Sequence, residues 1–240
     1  MLSVVIPAHN EEASLRRTIV TIATTLRGDP IPHEIVVVDD HSTDRTWEVL
    51  QHLAGEVPEL RPLRNNGPNG FGNAIRFGLE NYTGDRVTIM MADLSDDPND
   101  LVRFDHALRT TGCDCVFGSR AMPGATVRGY PRAKWMANRC ANLFLCAVFQ
   151  YRYNDTTNPF KLYSRALMDR LLPLRAAGFE LEIEIPLKAI VRGARYTVLP
   201  NDWNGREAGE SKMRLLPLVR PYLRVVAACL AERWRRRNDR

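Results

Sequence analysis

The apolar run Val87-Thr88-Ile89-Met90-Met91-Ala92 stops abruptly in Asp93-Leu94-Ser95-Asp96-Asp97-Pro98. Such a run reads as a buried strand that delivers carboxylates to a sheet edge. Carboxylates so placed can hold a divalent cation, and the cation can hold a diphosphate. Asp93, nearest the strand, is the candidate ligand. Asp96 or Asp97 better suits the competing role of capping a helix that begins at Pro98.

A second apolar run, Ile35-Val36-Val37-Val38, ends in Asp39-Asp40. A carboxylate at a strand end accepts hydrogen bonds from a ribose diol or a base N–H, and it also suits a helix cap. One role for each aspartate is the expectation. Glu11 adds a further acceptor, although first helical turns commonly carry Glu. The loop Asn65-Asn66-Gly67-Pro68-Asn69-Gly70-Phe71-Gly72 lacks the Gly-Lys-Ser/Thr ending of a phosphate loop. It is either an ordinary turn or a helix opening whose N–H groups face an anion. Arg120 follows Gly118-Ser119 at a further strand end. The stretch from Arg206 to Lys212 is basic and glycine-bearing, suited to phosphates and able to close over them. Arg128, Arg132 and Arg139, taken singly, read as solvated charges.

Positioning these groups requires strands that alternate with helices. Leu2 to Ile6 reads as a buried strand closed by Pro7. Asn10 suits an N-cap for the helix marked by Leu15, Ile19, Ile22, Ala23 and Leu26. Ser42 or Thr43 suits the cap of the next helix, with Trp47, Leu50 and Leu53 inward. Arg61-Pro62-Leu63 fits an edge strand, because proline disrupts a central one. Ala74, Ile75, Gly78 and Leu79 mark a third helix, Arg86 to Met91 a strand, Pro98 to Leu108 a helix and Cys115 to Gly118 a strand. Continuous apolar strands between amphipathic helices imply a mostly parallel sheet covered on both faces, with ligands at the strands' carboxyl ends. Beyond residue 120 the rhythm changes. A basic loop from Pro123 to Arg132 leads to helices over Ala133 to Phe149, Ser164 to Leu172 and Glu180 to Val191. A strand over Arg195 to Leu199 follows, and then an amphipathic basic helix over residues 213–236, interrupted at Pro217 and Pro221.

The chain has 240 residues, 45% hydrophobic and 25% charged, enough for a sizeable core, with a net charge of +5 that favours anionic partners. The basic residues lack interleaved aromatics on one face, which argues against nucleic acid. Part of the excess lies in Arg233-Trp234-Arg235-Arg236-Arg237 and Arg240, either a solvated helix end or a surface for anionic headgroups. Cys113, Cys115, Cys140, Cys146 and Cys229 form no disulfide framework or zinc spacing, and are expected to be reduced and mostly core in a cytosolic protein. The first residues enter a strand at once, without the charged leader of a signal peptide. No apolar stretch reaches the roughly 18 residues of a spanning helix.

The chain resembles the family 2 glycosyltransferases, and within them the dolichyl- or polyprenyl-phosphate mannose synthase group. The matching stretches are Val4-Val5-Ile6-Pro7-Ala8-His9-Asn10-Glu11-Glu12, Val37-Val38-Asp39-Asp40-His41-Ser42, Gly70-Phe71-Gly72-Asn73-Ala74 and Ala92-Asp93-Leu94-Ser95-Asp96-Asp97-Pro98. Further on come Gly118-Ser119-Arg120, Asp155-Thr156-Thr157 with Phe160-Lys161, and Arg206-Glu207-Ala208-Gly209-Glu210-Ser211-Lys212. The resemblance implies a GT-A (Rossmann-like) fold, a nucleotide-diphosphate sugar donor (GDP-mannose favoured), a divalent metal (Mg2+ or Mn2+) and a polyprenyl phosphate acceptor. It implies a catalytic domain over residues 1–212, with a nucleotide-binding half to residue 120 and an acceptor-binding half after it, followed by the helix of residues 213–240. Carried over, Pro7, Ala8, His9, Glu11, Val38, Asp39, Asp40, Gly70, Gly72, Ala92 and Asp93 surround the nucleotide sugar. Asp93 and Ser95 hold the metal. Asp93, Arg120, Arg206 and Lys212 are the catalytic set, and Arg120, Arg139, Asn142, Asp155 and Arg206 meet the acceptor phosphate. Two departures stand out: Met91 occupies the position of the metal motif's first aspartate, and Ser95 that of a frequent glutamine.

A phosphate monoester is already largely an anion at neutral pH, with a second pKa near 6, so such an acceptor needs no strong base. All five histidines lie early, at His9, His33, His41, His52 and His106, outside any acceptor motif. A sugar-hydroxyl acceptor would instead call for a base, Asp155 or a glutamate of the Phe179-to-Glu184 run. A catalytically dead nucleotide-binding module is the rival of another class, motivated by Met91 and Ser95. A lipid acceptor implies peripheral binding at the cytoplasmic face of the membrane, through apolar faces near Leu143 to Phe149 and Leu223 to Leu230 and the arginine tail. A separate membrane subunit is a further possible partner.

Overall fold

The structure is a computed structural model that describes residues 1–205 and 215–238, with side chains of the last segment from residue 219 onward. The first half alternates as expected: β1 (Leu2–Ala8), α1 (Leu15–Gly28), β2 (His33–Asp39), α2 (Thr46–Ala54), β3 (Leu60–Arg64), α3 (Phe71–Asn81), β4 (Arg86–Ile89), α4 (Pro98–Thr111) and β5 (Cys115–Ser119). The second half holds β6 (Val127–Arg128), α5 (Arg132–Phe149), β7 (Lys161–Ser164), α6 (Arg165–Leu171), α7 (Leu181–Val191), β8 (Tyr196–Pro200), β9 (Trp203–Asn204) and α8 (Leu215–Asn238).

Seven strands form one sheet in the order β3-β2-β1-β4-β7-β5-β8. All pairings are parallel except those of β7, which runs antiparallel to both β4 and β5. The proline-bearing β3 is an edge strand, where its missing N–H costs no ladder bond. Both faces are covered. Leu2, Val4 and Ile6 of β1 pack with Leu15, Ile19 and Ile22 of α1 and Phe104 of α4, while Val5, Val36 and Val38 face Ala74 and Ile75 of α3. Successive side chains of a strand point to opposite faces, so an unbroken apolar run serves both layers. A third cluster joins Leu145 and Phe149 of α5, Ile183 and Leu187 of α7, and Val226 and Cys229 of α8.

The carboxyl ends of β1, β2, β4 and β5 therefore lie along one edge. Because β7 is reversed, the segment that leads into it, residues 153–160, reaches the same edge.

Several local expectations are corrected. Asn10 does not cap α1: Ser14 holds that position, and Asn10 adopts φ 54° with its Oδ1 accepting from the Thr43 N–H at 2.8 Å. Neither Ser42 nor Thr43 caps α2, which starts at Thr46 with the Asp44 carboxylate accepting from the Thr46 N–H at 3.0 Å. Both substitutions have one cause: these side chains tie two neighbouring strand-end loops together rather than ending helices. β4 stops at Ile89, two residues before Met91. α8 runs on through Pro221 rather than breaking there. Only Cys115 and Cys229 of the five free cysteines are buried, and Cys140 on α5 is exposed.

Candidate active site

Along the shared strand edge lies a cavity of about 850 Å³. Its first end is polar. Pro7, Ala8, His9 and Glu11 enter it from the loop after β1, Asp40 from the end of β2, and Asn69, Gly70 and Phe71 from the start of α3. Asp40 is held rigidly: it accepts from Asn65 Nδ2 and from the Gly70 N–H, each at 2.8 Å. His9 Nδ1 lies 2.6 Å from the Asp40 carbonyl oxygen.

The middle of the cavity carries Met91, Asp93 and Ser95. One Asp93 oxygen accepts from the Ser95 N–H at 3.0 Å. Among the described residues no three His, Cys, Asp or Glu side chains converge as a metal cluster. A single wall carboxylate beside a serine matches the donor set of a hard cation that takes its remaining ligands from diphosphate oxygens and water. Asp97 caps α4 by accepting from the Asn99 N–H at 2.9 Å. Asp96 has neither duty. It is buried and its two oxygens accept no hydrogen bond from the described residues, so burial pushes its carboxyl up to about 8.

The other end is cationic at its base and apolar beyond. Arg120, leaving β5, is buried against Asp155: its N–H, Nε and Nη2 each donate to that carboxylate at 2.9 Å. Burial alone would raise Asp155, but the Arg120 charge and its hydrogen bonds hold it below the usual carboxylate range. Beneath them Lys161, the first residue of β7, donates to the Thr156 carbonyl at 3.1 Å, and burial pushes its ammonium down to about 7. Tyr130 and Trp203, whose ring centroids are 4.7 Å apart, form one wall beside Arg120. Ala141, Phe144 and Leu145 of α5, Ile183 of α7, and Val219, Tyr222, Leu223 and Val226 of α8 line the apolar end.

The cavity thus brings together Pro7, Ala8, His9, Glu11, Asp40, Gly70, Asp93, Ser95 and Arg120. Other candidates lie off its wall. Val38 is core, and Asp39 is buried, accepting from the Ser42 N–H and from Arg64 Nε. Ala92 is buried, with its carbonyl accepting from Thr18 Oγ1. Gly72 packs against the backbone of Ala177. The anion-facing reading of the glycine loop is corrected, since Gly72 and Asn73 both donate their N–H groups to the Ala177 carbonyl and Gly70 donates to Asp40. Asp155, fully buried and spent on Arg120, is neither an exposed acceptor contact nor a free base. Asn142 is buried between Asn138 and Thr157. Arg139 stacks over Trp135 at 5.7 Å, with a buried Nη1 that finds no hydrogen-bond partner among the described residues. Arg206 and Lys212 lie outside the described residues.

Sequence reasoning missed Tyr130, Lys134, Trp203 and Tyr222 on the wall, and Asp96 behind it. Aromatic residues in a loop and on a helix carry no periodic signal that separates a cavity wall from core.

The fold has known counterparts. Glucosyl-3-phosphoglycerate synthase from Mycobacterium tuberculosis, in complex with Mn2+, UDP and glucosyl-3-phosphoglycerate, superposes with a TM-score of 0.70 at 22% identity, over 97% of this chain and 79% of that one. Undecaprenyl-phosphate mannosyltransferase of Micrococcus luteus is 30% identical over 96% of this chain and 94% of its own. Polyprenol monophosphomannose synthase of Mycolicibacterium smegmatis is 29% identical over 88% and 80% respectively. Dolichol-phosphate mannosyltransferase of Pyrococcus furiosus is 28% identical over 89% of this chain, which spans only 59% of that protein. Residues 3–172 match Glycosyl transferase family 2, a span that includes the strand ends bearing His9, Asp40, Asp93 and Arg120. The chain belongs to glycosyl transferase family 2.

Proposed function

We propose that this protein transfers a hexose, with inversion, from a nucleotide-diphosphate sugar to a polyprenyl phosphate at a membrane surface. The observation that carries this reading is the continuity of the cavity: polar, carboxylate-bearing residues and apolar residues of α5, α7 and α8 line one space, and Arg120 lines it with them. The polar end suits a nucleoside and its diphosphate. The apolar end, walled by α5 and α8, suits the first isoprene units of a lipid. The names of the three mannosyltransferase relatives favour mannose, and with it GDP, as the donor.

In this reading the nucleoside lies by His9, Glu11 and Asp40. Asp93, with Ser95, would hold a divalent cation, which supplies charge stabilisation to the diphosphate when bound. The acceptor phosphate, already an anion, is drawn by Arg120. A phosphate oxygen bonds to the anomeric carbon as the bond from that carbon to the diphosphate oxygen breaks, and the electron pair leaves with the nucleoside diphosphate. No proton must be removed from the acceptor, so the burial of Asp155 is no obstacle. The Arg120–Asp155 pair then acts as a fixed dipole aimed at the developing charge, which needs no reorganisation as the bond breaks.

The test is an assay of the purified chain with GDP-mannose or UDP-glucose, a polyprenyl phosphate, and Mg2+ or Mn2+. Formation of a glycosyl phospholipid from GDP-mannose is expected. Asp93→Ala and a chelator should each lower the rate by about a hundredfold or more. Transfer to soluble saccharides but not to lipid phosphate would overturn the acceptor, and absence of both transfer and donor hydrolysis would overturn the reading as a whole.

A further inference from the structure

Three glutamates, Glu180, Glu182 and Glu184, stand at the start of α7, and the structure separates their duties. Glu180 Oε1 accepts from the N–H groups of Ala177 and Gly178, each at 3.1 Å. Glu184 accepts from the N–H groups of Arg175 and Ala176 and pairs with Lys188 at 2.6 Å. Both hold the loop that precedes α7. Glu182 does neither. It faces the cavity, and its carboxylate accepts no hydrogen bond from the described residues.

A carboxylate that accepts no hydrogen bond from the described residues, half-buried in a cleft, is costly unless a ligand supplies the missing donors. Its surroundings narrow the choice of ligand. Burial raises its carboxyl to about 7, opposed by the positive charges of Lys161, Arg120 and Lys134. A second anion beside it would meet repulsion, so neither phosphate is its natural partner. The transferred hexose is uncharged, rich in O–H donors, and must lie between the two phosphates. Glu182 lines the same cavity as Asp93, Arg120 and Tyr130.

We propose that Glu182 recognises the transferred sugar, its carboxylate accepting hydrogen bonds from hydroxyls of the hexose between Asp93 and Arg120. This inference rests on the transferase reading above. Hydroxyl-to-carboxylate bonds are charge-assisted, and a site built to receive a hydroxyl rejects a sugar that lacks one at that position.

The test is equilibrium binding to the full chain in Mg2+, comparing GDP with GDP-mannose and UDP with UDP-glucose for wild type, Glu182→Ala and Glu182→Gln. Glu182→Ala should weaken the nucleotide sugar about tenfold or more while leaving the nucleoside diphosphate within about twofold. Glu182→Gln, nearly isosteric and still able to accept one hydrogen bond, should fall between, and it carries the test should the alanine variant fail to fold. Equal weakening of nucleotide and nucleotide sugar would mark a structural role and overturn the inference, as would no weakening of either. Both outcomes leave the transferase reading standing. Wild-type protein that binds no nucleoside diphosphate overturns that reading and this inference with it.

Discussion

Arg120 and Asp155 show how a single pair organises the site. The guanidinium sits at the cavity wall and the carboxylate behind it, with both side chains almost fully buried. Removing one partner of such a pair strands the other charge in a low-dielectric site, so Asp155→Ala should cost about 3–5 kcal/mol. That corresponds to a fall in melting temperature of roughly 6–20 °C for a chain of this size. Thermal unfolding of the variant checks this, and a change below 1 °C would mean that the pair adds little. The same pair sets an acid limit. Asp155 titrates lower in the folded chain than its unfolded value near 4. Its contribution is therefore fully present above that value and is lost as the pH falls through the lower folded one. Denaturant unfolding from pH 6 down to pH 2 should show this loss, and Asp155→Asn should flatten that part of the curve.

At the scale of elements, the decisive contact joins two segments far apart in sequence. The start of α3 and the loop before α7 meet so closely that a Cβ on Gly72 would lie 2.6 Å from the Ala177 carbonyl carbon and 2.7 Å from the Gly178 oxygen. Backbone atoms cannot swing aside as a side-chain end can. Gly72→Ala should therefore destabilise by about 1–3 kcal/mol and push the two segments apart. Phe71 and Phe179 stack across the same junction at 4.5 Å, and both face the cavity, so nucleotide affinity should fall with stability. Calorimetric titration with GDP or UDP reads the second effect; unchanged affinity in a destabilised variant would confine the junction to a packing role.

For the whole molecule, the cavity opens toward a surface with unusual exposure. Met136, Leu143 and Phe144 on α5 and Val219, Leu223 and Trp234 on α8 are each at least half exposed, and Arg235, Arg236 and Arg237 lie near the end of α8. No helix of the described residues is long and apolar enough to cross a membrane. Apolar side chains beside arginines suit the interface of an anionic bilayer. Leu143→Glu with Trp234→Glu should reduce flotation with anionic vesicles severalfold without changing the melting temperature, because neither side chain is core. Removal of the chain from Arg233 onward should do the same, although it also removes the 3.2 Å bond from Arg233 to the Val148 carbonyl. Unchanged flotation in both variants would refute this face as the membrane contact.

The residue pattern alone determined the layered architecture. Apolar runs that end in carboxylates mark strand tips, and the physics of a parallel sheet places such tips along one edge. The place of Asp40, Asp93 and Arg120 on the cavity wall was legible for that reason. Depth was not legible, because the side of a strand tip that a residue faces depends on what packs over it. Asp39 and Asp40 are adjacent and chemically identical, yet one is held under Arg64 and the other reaches the cavity. Asp155 read as a contact and proved to be a buried counter-charge, and Gly72 and Asn73 proved to spend their N–H groups on the distant Ala177 carbonyl. The reversed strand β7, which brings Lys161 beneath the cavity, and the closure of α8 over α5 and α7 arise from long-range packing. Local periodicity fixes the phase of an element, whereas only tertiary contacts fix its neighbours, and neighbours decide which of three similar glutamates is left to meet a ligand.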